Sequence, residues 1–594
     1  MTARTWMTAA VWATTTLRAV AVDFTGPGGD VASPDNWGGG GVIPSETEAV
    51  NFPVASIPAE GLSLSSSVTF GKTTFAAGAA DAIPFDLGTF AYTTSGGLSL
   101  KSGVTFRNGT VVAGGGRAFE NVNGLALRVT DGATFTSQSS FGIYHSTGVS
   151  LTVDGGSVFD CTQHVDYNIA FYLEGVTDGT LTFDQATARF YTVNIGGKGS
   201  GATAPVSNTT WTIRNGSTVT FHKYGNSLSR GVYLGSSKRD GYSVSNRVVV
   251  ADSTFDMTCD GASGDFRVCG LGDTLVVSNA TFTTRHLQVL NGTDCSLSFA
   301  DSTVKGAISF ATNSCGNVLT VADCATFPSV TVNGTGNRVI LARGTLAAIP
   351  AFAGDGAGKT FELAGGAMTN TAFAFSGTNV ALVVRDGGRL QYGAGGVTKN
   401  GFSFKPGATK DYTLRIADGG TVGIRGMVNF SGNEASTYSW TNCPNSAIEF
   451  SGAHPSLVCH DYTANYETLG LGTSDEEPLT DAVKLRFVVS EGGYAEAPVR
   501  NEIKGRDIWI WGNQPIEIRL ADGFAPTKAL TVPLISCVNG FSKVPMDEAR
   551  LAKLTANAAF PDPDRYRTAL RYDANAKTLV ATIRPRRGLA IIIR

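Results

Sequence analysis

One short phrase recurs along most of this chain. It reads apolar-x-apolar-x, then Asp, Asn or Gly, then small residues and a further apolar side chain. A fixed phrase at a fixed period indicates one supersecondary unit stacked on itself, which constrains the fold more than any other feature here. The copies are LRVTDGATF from Leu127, LTVDGGSVF from Leu151, WTIRNGSTV from Trp211, LVVSNATF from Leu275, LSFADSTV from Leu297, LTVADCATF from Leu319, FELAGGAM from Phe361, LVVRDGGRL from Leu382 and LRIADGGTV from Leu414.

The second apolar residue of each phrase measures the period. In the middle of the chain the successive steps are 22, 22, 20, 22 and 21 residues. These steps join Val277, Phe299, Val321, Leu341, Leu363 and Val384. Before Val277 and after Val384 the steps are wider, so some repeats carry insertions there. We expect any specific function in those two regions, where the period breaks.

The phrase predicts short strands separated by tight turns. Alternating apolar residues are typical of a half-buried strand, and Asp-Gly, Asn-Gly and Gly-Gly pairs accept the positive φ of a turn. About 22 residues are too few for a βαβ unit, which needs roughly 30. A propeller blade takes roughly 40 to 45 residues, and an immunoglobulin-like domain about 100. The period therefore predicts an all-β parallel β-helix, and the 33 Phe residues suit stacked inward columns because Phe has no polar atom to satisfy.

Composition excludes several classes of protein. Only 16% of the residues are charged, against about 25% in an average soluble protein. The formal net charge is −3, so no basic composition suggests a nucleic-acid partner. No apolar run reaches the 18 or so residues of a membrane-spanning helix. A chain of 594 residues exceeds a usual single domain, but a stacked repeat has no such limit because each unit contacts only its neighbours.

The first 21 residues read as a secretory signal peptide. Arg4 supplies a positive charge, Trp6 to Leu17 are modestly apolar, and Ala19-Val20-Ala21 matches a small-x-small cleavage site. This segment predicts export, and a low charge fraction agrees with it.

Residues 22–60 are predicted to form an N-terminal cap, because the open end of a stack exposes strand edges. They are rich in Gly and Pro and include Asp35-Asn36-Trp37-Gly38-Gly39, Pro44 and Ala49-Val50-Asn51-Phe52. This segment and the recurring phrase resemble bacterial secreted proteins with autotransporter-associated β-strand repeats. The resemblance implies a single-stranded, right-handed parallel β-helix of the pectin-lyase-like kind over residues 61–480, in an adhesin-like passenger.

Residues 481–594 are predicted to form a β-rich C-terminal cap with one short helix. Arg506 to Trp511 and Ile516 to Leu520 read as strands. Met546 to Ala559 is the best helix candidate, with Asp547 as its N-cap. Leu570 to Ile583 reads as a hairpin that turns at Asp573-Ala574-Asn575.

The nine cysteines leave alternatives open. An odd number requires at least one free or intermolecular thiol. Cys295 and Cys315 are spaced to stack on adjacent repeats, and Cys259 and Cys269 are placed to close a loop. The alternative is that most are small buried hydrophobes, which we favour for Cys324.

Three motifs have the residue types of ligand sites without the right context. Gly354 to Thr360 resembles a phosphate loop, but Ala353 replaces the first Gly and a strand follows instead of a helix. Asp260 and Asp265 could bind calcium, but no nine-residue calcium repeat is present, so these and the other turn Asp residues are predicted turn formers. Residue types that bind zinc occur at Cys443, His454, Cys459 and His460, but their spacing is not that of a known zinc site.

Asn-x-Ser/Thr sequences are equally typical of turns that enter strands, so no glycosylation is assigned. They begin at Asn108, Asn208, Asn215, Asn279, Asn291 and Asn333. The sequence assigns no catalytic, cofactor-binding or metal-ligating residue.

Charged residues about one repeat apart raise the enzymatic alternative. Glycoside hydrolysis needs two carboxylates, and lyase chemistry needs a base with a cation that neutralises the uronate carboxylate. Two groups of charged residues have sequence spacings close to the repeat period. They are the set Arg343, Glu362 and Arg385 and the pair Asp301 and Asp323.

The sequence as a whole favours an extracellular or cell-surface structural protein of adhesin-like type. Its inserted loops would contact a glycan, a matrix or a host surface through many weak contacts. The alternative is a polysaccharide lyase or glycoside hydrolase with a groove on the β-helix.

Overall fold

Parallel strands dominate this protein, and each repeat pairs with the next. The computed structural model describes residues 21–38, 41–78, 81–162, 171–196, 204–223, 231–235, 243–261, 264–370, 373–375, 377–392, 404–406, 411–424, 428–429, 446–459, 469–472, 475, 483–502, 507–542 and 544–586. The fold is all-β, with 52% strand and 4% helix. The chain divides into two compact units, Met1–Phe171 and Tyr172–Arg594.

The first unit contains four sets of parallel strands. The first comprises Val22–Asp23, Val50–Phe52, Thr73–Phe75 and Leu98–Leu100. The second comprises Leu62–Ser63, Ile83–Asp86, Val104–Arg107, Ala126–Thr130 and Ser150–Val153. The third comprises Val68–Phe70, Ala91–Thr94, Thr110–Ala113, Thr134–Ser137 and Val158–Asp160. The fourth pairs Gly116–Glu120 with Phe141–Tyr144, and Phe171–Glu174 begins at the boundary between the units.

The strands of the recurring phrase form one long parallel sheet in the second unit, here called the repeat sheet. Each strand pairs with the next in chain order. The strands are Thr180–Asp184, Thr210–Arg214, Arg247–Ala251, Thr274–Ser278, Ser296–Ala300, Val318–Ala322, Arg338–Arg343, Thr360–Ala364, Val380–Arg385, Tyr412–Ala417, Ala447–Ser451, Lys484–Val489 and Ile516–Leu520.

A second ladder of the same unit uses the strand that follows each phrase. It comprises Thr187–Phe190, Thr218–Phe221, Thr254–Asp256, Thr281–Val289, Thr303–Phe310, Val330–Val332 and Ala351–Phe352. A branch of Thr192–Ile195, Gly231–Leu234 and Asp265–Val268 joins it at Thr281–Val289. Minor sheets pair Val206–Ser207 with Ser243–Val244, Phe373–Phe375 with Phe404–Pro406, and Val428–Asn429 with Leu469–Leu471 and Ile508–Ile510.

The third ladder of the second unit is here called the groove sheet. Its parallel strands are Ala367–Asn370, Arg389–Tyr392, Thr421–Ile424, Ser456–Cys459, Val499–Asn501 and Leu530–Cys537. The last of them pairs antiparallel with Thr578–Pro585, which pairs with Tyr566–Asp573.

The register confirms the repeat period read from the sequence. Val277 pairs with Phe299, Phe299 with Val321, and Val321 with Leu341. The pairing continues from Leu341 to Leu363 and then to Val384. A slip of one residue would turn every apolar side chain to the opposite face, so the buried face fixes this register. The long parallel sheets are those of a β-solenoid.

Stacked Phe side chains fill the interior of both units, as predicted. In the first unit, the Phe135 and Phe159 rings lie 5.2 Å apart and 10° from parallel. In the second, Phe255 and Phe282 lie 5.0 Å apart and 9° from parallel. These four side chains are at most 1% exposed. Equivalent residues of adjacent repeats therefore pack on one another, which is what parallel in-register pairing requires.

The Asp and Asn residues of the phrase are turn residues, also as predicted. Asp131, Asn215 and Asp386 have φ of 56°, 57° and 53°, and each precedes a Gly that also has positive φ. Both residues of such a pair must adopt this region, which Asn, Asp and Gly tolerate best. Positive φ also occurs at the glycosylation-type residues Asn108, Asn208, Asn215 and Asn279.

The segment predicted as the N-terminal cap is built around Trp37. Its ring packs against Phe24 and Phe52 at 5.4 and 5.6 Å, and its Nε1 donates to the Val31 carbonyl at 3.0 Å. Two short 3₁₀ turns lie in this segment, at Pro34–Asn36 and Val54–Ser56. Another 3₁₀ turn, at Cys259–Gly261, belongs to the second unit. The predicted signal peptide lies almost wholly outside the described residues.

The C-terminal helix and hairpin are confirmed. The helix spans Glu548–Ala556, and the Asp547 side chain caps it by accepting a hydrogen bond from the Arg550 amide. Tyr566–Asp573 and Thr578–Pro585 form the hairpin. Within the described ranges, no helix is long and apolar enough to cross a membrane. The repeat sheet runs through Lys484–Val489 and Ile516–Leu520, which lie beyond residue 480.

Neither suggested cysteine pair is bonded, because no disulfide joins any of the cysteines whose side chains are described. The register explains the first case: Cys315 lies beside Thr293, whereas Cys295 lies two residues further along. Cys295 is buried and Cys315 is exposed. In the second case Cys259 lies near the Asp256 carboxylate and Cys269 is buried. Cys324 is half-buried.

Candidate functional site

The charged residues spaced about one repeat apart form ion pairs. Arg343 contacts Asp323 at 3.2 Å and Asp301 at 3.8 Å on an exposed edge of the repeat sheet. Glu362 instead contacts Arg338 at 2.6 Å and Arg385 at 2.9 Å. Glu362 lies between two apolar residues of its strand, where a side chain would face solvent, but the two guanidinium groups cover it and leave it 6% exposed.

The Glu362 cluster is followed by a longer set of ion pairs on the same sheet, here called the ion column. It consists of Arg415, Glu449, Arg486 and Glu517, which are register neighbours on four successive strands. Glu449 contacts Arg415 at 2.6 Å and Arg486 at 3.1 Å. Arg486 also contacts Glu517 at 2.8 Å. Alternating charges thus neutralise one another along the stack.

The ion column holds the Glu517 carboxylate ionised. Burial alone would raise the pKa of Glu517, but hydrogen bonds from Arg486 and Arg519 outweigh it, and the net pKa is lowered. Burial likewise opposes the charge of Arg486, but its contacts with Glu517 and Glu449 raise its pKa. A general acid needs a carboxyl group that is protonated near neutral pH. Glu517 therefore has a structural role.

The loop that resembles a phosphate loop binds its own lysine. The Lys359 side chain is fully buried, and its Nζ donates to the carbonyls of Ala353 and Gly354 at 2.6 and 2.9 Å. The strand Thr360–Ala364 follows directly, so no helix N-terminus faces the loop. The turn interpretation is correct, and the lysine closes the turn.

We expect Lys359→Met to lower the free energy of unfolding by roughly 1–3 kcal/mol, because the two hydrogen bonds that close the loop are lost. Urea unfolding followed by circular dichroism measures this loss. Arg389→Met, on an exposed side chain, is the control and should change stability by less than about 0.5 kcal/mol. An unchanged midpoint for Lys359→Met, or ATP binding that this substitution abolishes, would contradict the structural role.

The metal-type residues do not converge in the described part of the chain. Cys443, His460 and the Cys459 side chain lie outside the described residues, and His454 is exposed. Asp265 contacts Arg267 at 2.8 Å and His286 at 3.1 Å, and the Asp260 side chain is not described. Among the described residues, no group of three or more His, Cys, Asp or Glu is placed to hold a metal ion.

A buried polar column precedes the repeat-sheet strands, one residue per repeat. The Asn246 Oδ1 accepts from the Thr209 amide at 2.9 Å, and Asn317 Oδ1 accepts from the Cys295 amide at 2.9 Å. Asn337 Oδ1 in turn accepts from the Asn317 amide at 3.0 Å. Each amide side chain thus satisfies the backbone of the preceding repeat.

Asp273 occupies one position of this column as a carboxylate. It accepts from the Asn246 amide at 2.9 Å and from Ser243 Oγ at 2.6 Å. Burial raises its pKa to about 6, although these hydrogen bonds act in the opposite direction. Asp273 is 1% exposed, so a ligand does not reach it and its effect is on stability.

Two open cavities lie on the groove sheet, and Thr421 lines both. We call them together the polar groove. The first has a volume of about 640 Å³ and is lined by Arg389, Gln391, Thr369, Thr345 and Gly423, among others. Register pairs Gln391 with Thr369 on one side and Gly423 on the other. The missing side chain at Gly423 leaves space beside the Gln391 amide.

The Gln391 amide is the least satisfied group in this cavity. Its Nε2 is buried and has no hydrogen-bond partner. Burying such a donor without a partner costs about 1–3 kcal/mol. Arg389 lies two residues before it on the same strand, on the other side of the buried Leu390, so both polar side chains occupy the outward face.

The second cavity has a volume of about 420 Å³ and a different charge distribution. Arg500 lines it and contacts Glu496 at 3.1 Å and Glu502 at 3.0 Å. Its Nη2 also donates to Ser456 Oγ at 2.9 Å. The cavity is further lined by His454. The polar groove therefore has one end without acidic residues and one end with two exposed carboxylates.

Sequence reasoning missed the polar groove. Its first three strands begin in the last residues of a phrase, as Arg389–Tyr392 does in the copy from Leu382, and continue beyond it. The spacing between these strands varies, so the period does not align Arg389 with Arg500. A signal was available in Arg389-Leu390-Gln391, a polar-apolar-polar triplet at the end of that copy. Arg389, Gln391 and the second cavity lie after Val384, in one of the two regions where function was expected, whereas Thr345 and residues 367–369 of the first cavity lie before it.

No protein-family model, curated protein or solved structure matches this sequence. The resemblance to proteins with autotransporter-associated repeats therefore stays a prediction from the motifs.

Proposed function

We propose that this protein is a single-stranded, right-handed parallel β-helix that is exported to the bacterial cell surface and binds a glycan in an adhesin-like role. The polar groove carries the proposal. It crosses the strands from Ala367–Asn370 to Val499–Asn501, which span about 20 Å at about 4.8 Å per strand. That length accommodates several sugar residues of an extended chain.

The chemistry of the polar groove also favours a glycan. Sugars present dense arrays of hydroxyl groups that both donate and accept hydrogen bonds. The groove offers guanidinium, amide, hydroxyl and carboxylate groups from Arg389, Gln391, Thr421 and Glu496. These groups satisfy hydroxyls in both directions. An apolar peptide would leave them unpaired, at a cost for each group.

A glycan array, followed by titration calorimetry with the best oligosaccharide, tests this function. Thr421 lines both cavities, so Thr421→Tyr should fill the polar groove and weaken binding at least tenfold. Thr320→Tyr is the matched control, because Thr320 is an equivalent position on the repeat sheet between buried Leu319 and Val321. Failure of the folded wild-type protein to bind any glycan, or equal weakening by both variants, would overturn the proposal.

One observation favours an enzymatic alternative, a glycoside hydrolase or lyase. Glu496 and Glu502 are exposed, with side chains 71% and 62% accessible, and both line the second cavity with His454. Paired carboxylates are the usual groups of glycoside hydrolysis. Release of reducing ends or unsaturated products from a bound polysaccharide, lost in Glu496→Gln or Glu502→Gln, would favour this alternative over simple adhesion.

A further inference from the structure

We infer that the cavity at Arg389 and Gln391 is a subsite for the carboxylate of an acidic sugar, so that the ligand of this protein is a uronate-containing glycan. The inference rests on the proposed glycan binding and adds the chemical class of the sugar. It comes from the distribution of charge along the polar groove.

Arg389 differs from the arginines of the ion pairs described above. Arg338, Arg385, Arg415 and Arg486 each contact a glutamate on the repeat sheet. Among the described residues, Arg389 has no ion-pair partner and no acidic residue lines its cavity. A guanidinium group that faces a cavity without a counter-ion favours an anionic ligand.

The neighbours of Arg389 fit a planar carboxylate. A guanidinium group presents parallel N–H donors that match the two oxygens of a carboxylate. Gln391 lies two residues further along the same strand, on the same face, and also lines the cavity. The hydroxyls of Thr369 and Thr421 lie on the two neighbouring strands. Arg389 is the one charged residue among the described residues that line the first cavity, and the threonine hydroxyls can add hydrogen bonds to a carboxylate held by it.

The second cavity disfavours an anionic sugar. Glu496 and Glu502 already neutralise Arg500, so an anionic sugar there would meet two carboxylates. Three strand spacings, about 14 Å, separate the strand of Arg389 from the strand of Arg500. A glycan that alternates uronate with neutral residues can place its charge at Arg389 and neutral hydroxyls at Glu496 and Glu502.

Titration calorimetry with three oligosaccharide probes tests this subsite on the full chain. The probes are hyaluronan oligosaccharides, which alternate uronate with a neutral amino sugar, the same oligosaccharides after reduction of the carboxyl groups, and sulfated dextran oligosaccharides. We expect the first to bind at least tenfold more tightly than the second. Its affinity should fall as salt rises from 50 to 500 mM, because screening weakens an ion pair that water reaches.

Arg389→Gln keeps hydrogen-bond donors and removes the charge. It should reduce hyaluronan affinity at least tenfold and leave the affinity for the reduced oligosaccharide within threefold. Arg343→Gln, on the repeat sheet outside the polar groove, should change neither. Equal binding of acidic and reduced probes, or binding of sulfated dextran alone, would overturn the carboxylate subsite and leave glycan binding intact. Binding to no glycan, on the array or among these probes, would overturn the proposed function itself.

Discussion

Arg486→Met should lower the free energy of unfolding by about 3 kcal/mol at neutral pH. Arg486 is 15% exposed and is the shared partner of Glu449 and Glu517. Its removal leaves two largely buried carboxylates that each keep only one guanidinium, Arg415 or Arg519. Breaking a buried ion pair is costly because the remaining charge stays out of water without its partner.

The pH dependence of this loss identifies its cause. The lowered pKa of Glu517 means that its stabilising contribution is present above the unfolded value of 4.5 and is lost as pH falls through the folded value. Without Arg486 the pKa of Glu517 should rise. The stability difference between wild type and Arg486→Met should therefore shrink as pH falls below 4.5 and through the lowered pKa that Glu517 has in the folded wild-type protein.

Urea unfolding between pH 3.5 and 8 measures both effects. Arg343→Met is the matched control, because its guanidinium is 61% exposed and its pairs with Asp323 and Asp301 are open to solvent. Exposed pairs contribute about 0–1 kcal/mol. A loss for Arg486→Met that equals the control, or that does not change with pH, would show that the ion column is not a buried network. Replacement of Glu449, Arg486 and Glu517 together by apolar residues should restore much of the stability.

The register of the repeat sheet could be predicted because one buried face repeats in the sequence. Val277, Phe299 and Val321 have the same place in their phrases, and pairing them keeps every apolar residue inside. The Asp-Gly turns could be predicted for a similar reason, since the conformation is a local requirement. Neither prediction needed information about residues far away in the sequence.

The outward face could not be predicted in the same way. Glu362 occupies a position that is exposed in an isolated strand, and it is buried only because Arg338 and Arg385 extend over it from neighbouring strands. In the ion column, Glu449 and Glu517 are brought to Arg486 across insertions of different lengths. The polar groove depends on strands whose spacing varies even more. Contacts between outward side chains thus depend on where the chain re-enters the sheet after each insertion. The recurring phrase contains no information about that position.

Asp273→Asn should stabilise the protein at pH 7.5 by as much as about 3 kcal/mol. Burial raises the pKa of Asp273 from 3.8 to about 6. A raised pKa means that the favourable contribution of the protonated group is complete below about pH 4 and is lost as pH rises through about 6. Above that value the ionised carboxylate costs about 1.36 kcal/mol per unit of pKa shift. An amide does not titrate and avoids this cost.

The column itself shows that an amide fits this position. Asn317 Nδ2 donates to the Gly292 carbonyl at 2.8 Å. Gly292 lies three residues before Cys295, which holds the column position in the preceding repeat. Asn246 Nδ2 donates to the equivalent Val206 carbonyl at 2.9 Å. For Asp273 the equivalent residue is Ser243. An asparagine at position 273 keeps the acceptor for the Asn246 amide. The Ser243 hydroxyl, which donates to the carboxylate in the wild type, would instead accept from the new amide. Asp273→Asn should therefore remove the charge and keep a hydrogen bond to each of its two present partners.

Hydrogen exchange gives the sharpest measurement, because long stacked repeats open locally. Amides of Arg247–Ala251 and Thr274–Ser278 should exchange more slowly in Asp273→Asn at pH 7.5, with little difference from wild type near pH 4 after correction for the intrinsic rate. The reverse change, Asn317→Asp, places a carboxylate at the same kind of position and should speed exchange at pH 7.5 and recover in acid. Asp301→Asn, at an exposed turn, should change neither. The free-energy cost of the buried carboxylate exists only where Asp273 is deprotonated. Exchange rates in Asp273→Asn that equal those of wild type at pH 7.5, or that differ from wild type by the same factor at both pH values, would therefore contradict an ionised buried carboxylate.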